Sequence, residues 1–149
     1  GHCILVLNAV VQKGLQMIKE FVDSFMARKQ ELREAFATTP PRRYYDIVEG
    51  VVTIISDGGY GSPCPDRIHE IDDGEYQGTL VYVIGACGYQ PYRYWYVRIC
   101  YGSCSFCDTL QYIRDLNNEE KPTEEQLNHY VTLALHIVQG IKEMERPML

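Results

Sequence analysis

Three segments rich in β-branched and aromatic residues, Arg67 to Ile71, Thr79 to Ala86 and Arg93 to Cys100, are joined by two turn-rich links, Asp72-Asp-Gly-Glu75 and Gly88-Tyr-Gln-Pro91. Links this short cannot carry a crossover, so consecutive strands must run antiparallel and the three form a meander. In the third run Trp95, Val97 and Ile99 alternate with Tyr94, Tyr96 and Arg98. A period of two places the first set on a face suited to the core and leaves the second set to meet water or a partner.

Helical patterns flank this sheet on both sides. From Val11 the apolar residues fall at Val11, Leu15, Ile18, Val22, Phe25, Leu32 and Phe36, one stripe of a long helix that only Lys29 interrupts. The helix must stop before Thr38-Thr39-Pro40-Pro41, because a proline pair cannot continue it. Such a stripe serves the core or a dimer seam, and a homodimer through the N-terminal helix is expected on the second reading. Tyr44 to Ser56 carries both signals: Val51 to Ile55 suits a strand, whereas Tyr44, Ile47, Val48, Val51 and Ile55 keep helical spacing. Its length favours a helix. The glycine- and proline-dense stretch Asp57 to Pro65 reads as a loop. Asp108 to Leu116 reads as a short helix, and Thr123 with Gln126 forms a capping-box signature ahead of a stripe of Leu127, Val131, Ala134, Val138 and Ile141.

The expected fold is therefore α+β: two N-terminal helices, a three-stranded antiparallel meander, and two C-terminal helices packed on the sheet. At 149 residues the chain is expected to form a single globular domain. Its parts are an N-terminal long helix within 1–40, a helix and Gly/Pro loop in 41–66, the sheet in 67–100, and a Cys loop with the C-terminal helices in 101–149. A hydrophobic fraction of 46% with 23% charged residues is globular composition. A net charge of −6 opposes a phosphate-tracking surface, which ranks nucleic acid low as a partner. The apolar run Cys3 to Val11 is shorter than a membrane span and lacks signal-peptide features, so no membrane association is expected. Gly1-His2 reads as an expression scar. The six cysteines are then read as mostly reduced, in an intracellular, cytoplasmic compartment.

Chemistry, if present, belongs to Tyr101-Gly-Ser-Cys104-Ser-Phe-Cys107-Asp108, where a strand gives way to a helix. Two thiols at this spacing can close a disulfide or hold two corners of a tetrahedral metal, and a helix N-terminus favours the thiolate. Thioredoxin-like exchange is disfavoured because only helical sequence follows Cys107. An iron–sulfur reading of Cys100, Cys104 and Cys107 calls for a far larger barrel. A structural zinc site would join Cys104 and Cys107 to two of Cys64, His69, Cys87 or Cys100. The metal or redox candidates are thus Cys104, Cys107, Cys100 and Cys64. The bland alternative has Cys104 and Cys107 as small residues in a tight connection with Cys100 packed behind them. No cofactor is expected, zinc excepted. The acidic turn from Asp72 to Glu75 lacks the alternating ligands of a calcium loop and reads as solvated. Neither a phosphate-binding glycine loop nor a nucleophile elbow is present.

Tyr89, Tyr92, Tyr94, Trp95, Tyr96 and Tyr101 crowd one stretch together with Arg93 and Arg98. Tyrosine and arginine suit interfaces because each combines large contact area with directional hydrogen bonding. The candidate partner-binding residues are Tyr92, Tyr94, Tyr96 and Arg98. Two other readings stay open: a face that stacks bases, and tyrosines that merely cover the sheet beneath the long helices.

The succession Ile71-Asp-Asp-Gly-Glu-Tyr-Gln-Gly-Thr79, Tyr89-Gln-Pro91, Tyr101-Gly-Ser-Cys-Ser-Phe-Cys-Asp-Thr-Leu110 and Leu133-Ala-Leu-His-Ile-Val-Gln139 resembles a group of small uncharacterised proteins from phages, bacteria and large DNA viruses. The likeness runs from Tyr44 to Gln139 and implies a shared helix, sheet and helix core and a viral setting. It leaves out the first long helix and Cys100, and it carries no established activity. The expectation is a non-enzymatic protein-protein interaction protein that binds a host or virion component. Its rival is a small zinc-binding or thiol-redox protein centred on Cys104 and Cys107.

Overall fold

The computed structural model describes residues 2–72, 79–100 and 109–144, with side chains described from residue 16 onward. Helix α1 (His2–Thr38) has 37 residues, about 55 Å of helix, and it takes in the opening run Cys3 to Val11 as its first turns. Of its stripe, Phe25, Leu32 and Phe36 are buried and Ile18 and Val22 half-buried. The side chains of Val11 and Leu15 lie outside the described residues. No described helix is long and apolar enough to cross a membrane.

Helix α2 (Tyr44–Ile55) confirms the helical reading of its ambiguous sequence, and seven of its 12 residues are buried. A segment packed on several sides needs apolar residues around most of its circumference, and this is why its β-branched run also resembles a strand. The Asp46 carboxylate accepts from the backbone amides of Arg42 and Arg43 and holds the N-terminus. At the other end the Arg28 guanidinium of α1 donates to the Ile54 carbonyl at 3.1 Å. Between these ends α1 and α2 approach closely: a Cβ on Gly50 would stand 2.7 Å from Leu32 Cδ1.

The sheet is antiparallel in the order β1-β2-β3-β4, formed by β1 (Pro63–Asp72), β2 (Thr79–Ala86), β3 (Tyr94–Cys100) and β4 (Lys142–Glu143). Two expectations are corrected here. The loop ends earlier than expected, at Ser62, because proline is tolerated at the start of an edge strand where the ladder is irregular, as it is between Pro63 and Ile68. The meander also gains a fourth strand. Helix α4 (Glu124–Gln139) stops one residue before Gly140, so Ile141 is buried beyond the helix, and the chain then pairs Lys142 with Tyr96 and Glu143 with Trp95.

The inner face of the sheet carries Ile68, Leu80, Tyr82, Ile84, Trp95, Val97 and Ile99, all buried. The first two helices cover it, Tyr45 of α2 meeting Tyr82 at 6.4 Å between ring centroids and Phe21 of α1 meeting Trp95 edge-on at 6.3 Å. The expectation that both C-terminal helices lie on the sheet is therefore corrected. Helix α4 packs mainly on α1 and α2, with Tyr130 against Phe36 and Arg33 bound to Glu124 and Asn128. Helix α3 (Thr109–Asp115) buries Leu110 and Ile113, and the capping box of Thr123 and Gln126 forms as expected.

Candidate functional site

The outer face of the sheet is built by the residues that alternate with the core set. Across the β2–β3 ladder Tyr94 stands opposite Gly85, Tyr96 opposite Val83, Arg98 opposite Val81 and Cys100 opposite Thr79. Strand β1 adds His69 beside Val83 and Ile71 beside Val81, and β4 adds Lys142 beside Tyr96. These side chains are exposed or half-buried, and Ile71 keeps 52% of its surface open. Tyr94 and Tyr96 thus face away from the helices, which overturns the reading that the tyrosines only cover the sheet beneath them.

The charge on this face is one-sided. Its paired positions hold Arg98, Lys142 and His69 and no carboxylate. The acidic neighbours turn to the other side of the sheet, where Glu70 pairs with Arg43 and Glu143 with Arg93. Hydrogen bonding with Glu143 raises the pKa of Arg93, whose guanidinium lies 4.9 Å from the Trp95 ring centroid. Arg98, Lys142 and His69 have no hydrogen-bond or ion-pair partner among the described residues. At the end of the face Arg67 donates to the carbonyls of Ala86 and Gly88.

Tyr92, the fourth candidate, is separated from this row. It stacks on Tyr60 at 5.2 Å between centroids and lies over Gly61, where an added Cβ would meet the Tyr92 hydroxyl at 2.3 Å. Gly61 has φ +84, so the loop needs glycine there on two counts. Tyr92 therefore locks the 57–62 loop to the β2–β3 connection.

The cysteine candidates do not converge. Cys104 and Cys107 lie outside the described residues. Cys100 is exposed, which corrects its expected packed position. Pro63 pairs with Ala86 at one end of β2, and Cys100 with Thr79 at the other. Roughly 20 Å of strand then separates Cys64 from Cys100, too far for one ion. Cys64 instead neighbours Cys87, whose Sγ donates to the Pro63 carbonyl at 3.7 Å, and burial, with the nearby Cys64 thiol, raises the Cys87 pKa. No group of three or more His, Cys, Asp and Glu side chains able to hold a metal occurs among the described residues. The acidic turn lies outside them as well, apart from Asp72 at the end of β1.

A groove of about 1220 Å³ opens between α1, α2 and the α3–α4 link. Several of its polar groups already serve the fold: Arg28 holds the end of α2, Arg114 donates to the Arg42 carbonyl, and Gln126 donates to the Ile113 carbonyl. On the open sheet face Arg98, Lys142 and His69 stay unengaged among the described residues, and this face is the better candidate.

Ile71 escaped the sequence reading as a face residue, and His69 entered it only as a candidate zinc ligand, although their alternation with Ile68 and Glu70 is visible there. Lys142 gave no signal, since a two-residue strand has no period to detect. Compared with models of known protein families, with curated proteins and with solved structures, the chain matches none.

Proposed function

We propose that this chain is a non-enzymatic protein-binding protein that takes its partner on the open face of the sheet, in the reducing, viral setting that its motifs suggest. The observation that carries the reading is the row Tyr94, Tyr96 and Arg98, set beside Ile71 on a face where apolar surface, hydroxyls and a guanidinium unpaired among the described residues meet. Such mixed surface is typical of interface centres. A photo-crosslinking residue at position 96 should capture a partner that the same residue at Tyr112, exposed on α3, does not. The combined change Tyr94→Ala, Tyr96→Ala and Arg98→Ala should abolish that capture. Retention of every partner by the triple variant would sink the proposal.

The thiol reading is favoured by one observation, the neighbouring thiols Cys64 and Cys87, the latter donating to the Pro63 carbonyl at 3.7 Å. Native and denaturing mass spectra recorded without reductant separate the cases. Bound zinc or a mapped disulfide, at this pair or at Cys104 and Cys107, would support it. A metal-free chain with six free thiols would remove it.

A further inference from the structure

Resting on the reading that the open face is the contact surface, we infer that its occupant is a protein segment that is both acidic and apolar. The chain as a whole has a formal charge of −6, yet the paired positions of this face carry Arg98, Lys142 and His69 without one carboxylate. Arg67 adds a further cation at its end. Described paired positions this depleted of acids, in an acidic chain, present a local field opposite to the global one, and complementarity selects an anionic partner.

Two other occupants fit less well. A second copy of the chain docked through the same face would set one cationic patch against another, since a two-fold interface uses the same patch on both subunits. Single-stranded nucleic acid would satisfy the cations, but a charge at every phosphate works against the whole-chain field. A segment with a few carboxylates needs only the local one, because screening confines each charge to about 8 Å. Nucleic acid would also leave Ile71, Val81 and Val83, the aliphatic half of the face, with little to cover them. Leucine-like side chains of a peptide cover that half while its carboxylates reach Arg98 and Lys142.

The test uses the full chain and three fluorescein-labelled probes: an amphipathic peptide of Leu and Glu, its Leu and Lys counterpart, and an oligothymidylate of similar length. Anisotropy should show the Leu/Glu peptide binding most tightly, with affinity falling as salt rises. The double change Arg98→Glu and Lys142→Glu should weaken it by about tenfold or more and turn the preference toward the Leu/Lys peptide. Thermal unfolding of the variant checks that the fold is kept. Equal binding of both peptides, tighter binding of the oligonucleotide, or no binding of the acidic peptide overturns the inference. If both peptides bind equally and both are lost on Tyr94→Ala with Tyr96→Ala, the acidic partner is wrong and the face is right. If the acidic peptide binds regardless of these tyrosine changes and the charge reversal, the face itself is wrong.

Discussion

Tyr96 stands directly across the ladder from Val83, one pair away from the buried contact between Trp95 and Ile84. Neighbours in sequence thus lie on opposite faces, and their substitution should differ accordingly. Trp95 is 1% exposed, so Trp95→Ala should cost about 3–5 kcal/mol. Tyr96→Ala removes mainly a cross-strand pair and should cost about 1 kcal/mol. Urea unfolding of the two variants measures the difference, and equal losses would mean that the outer face is covered.

At Gly50 helices α1 and α2 pack in close contact. With Leu32 Cδ1 2.7 Å and Phe36 3.4 Å from the place a Cβ would occupy, Gly50→Val has to separate the helices. A loss of about 1–3 kcal/mol is expected, even though valine is the better helix former. A variant as stable as the parent would show that the interface yields.

The Gln126 side chain joins two pieces of backbone. Its Oε1 accepts from the Thr123 amide at 2.9 Å, its Nε2 donates to the Ile113 carbonyl at 3.0 Å, and its own amide donates to Thr123 Oγ1. Gln126→Leu keeps the volume and strands two backbone groups, so about 1–3 kcal/mol should be lost. Thr123→Ala, which removes one cap bond, should cost about 1 kcal/mol. Chemical denaturation ranks the two.

Burial raises the pKa of Tyr130 above its ordinary value of 10.0, with Arg114 partly opposing. The unfolded chain therefore releases this proton first, and the folded state binds more protons in the alkaline window. Stability from the neutral phenol is complete below pH 10 and is lost as pH rises toward the raised value. Tyr130→Phe should accordingly show a shallower loss of stability above pH 10 than the parent, read from thermal midpoints in matched buffers.

Exposed Cys100 and the partly buried pair Cys64 and Cys87 should react differently. The raised Cys87 pKa lowers its thiolate fraction. Alkylation by iodoacetamide, mapped by peptide mass, should mark Cys100 well before Cys87. The reverse order would mean that Cys87 sits in a more activating environment than its burial implies.

Much of the fold was legible because its signals are periodic. The limits of β2 agree with the strand candidate Thr79 to Ala86 marked off by its turn-rich links, and the last helix begins at its capping box. Tyr94, Tyr96 and Arg98 were separated from Trp95, Val97 and Ile99 by parity alone. Where one residue carries no period, as in Pro63 at the head of β1 or Lys142 in β4, local sequence is silent. Proline speaks for a loop unless a neighbouring strand tolerates it, and a pair of residues becomes a strand only through its partner.

Sequence by itself determined which residues are apolar on one side of each element, because a strand repeats every two residues and a helix every 3.6. It also determined that short links force an antiparallel sheet. Tertiary structure alone decided that α1 and α2, rather than the C-terminal helices, cover the inner face, and that the outer face collects cations while Glu70 and Glu143 turn away. Cys64 meets Cys87 and not Cys100 for the same reason: strand register brings distant residues together, and register is a property of the assembled sheet.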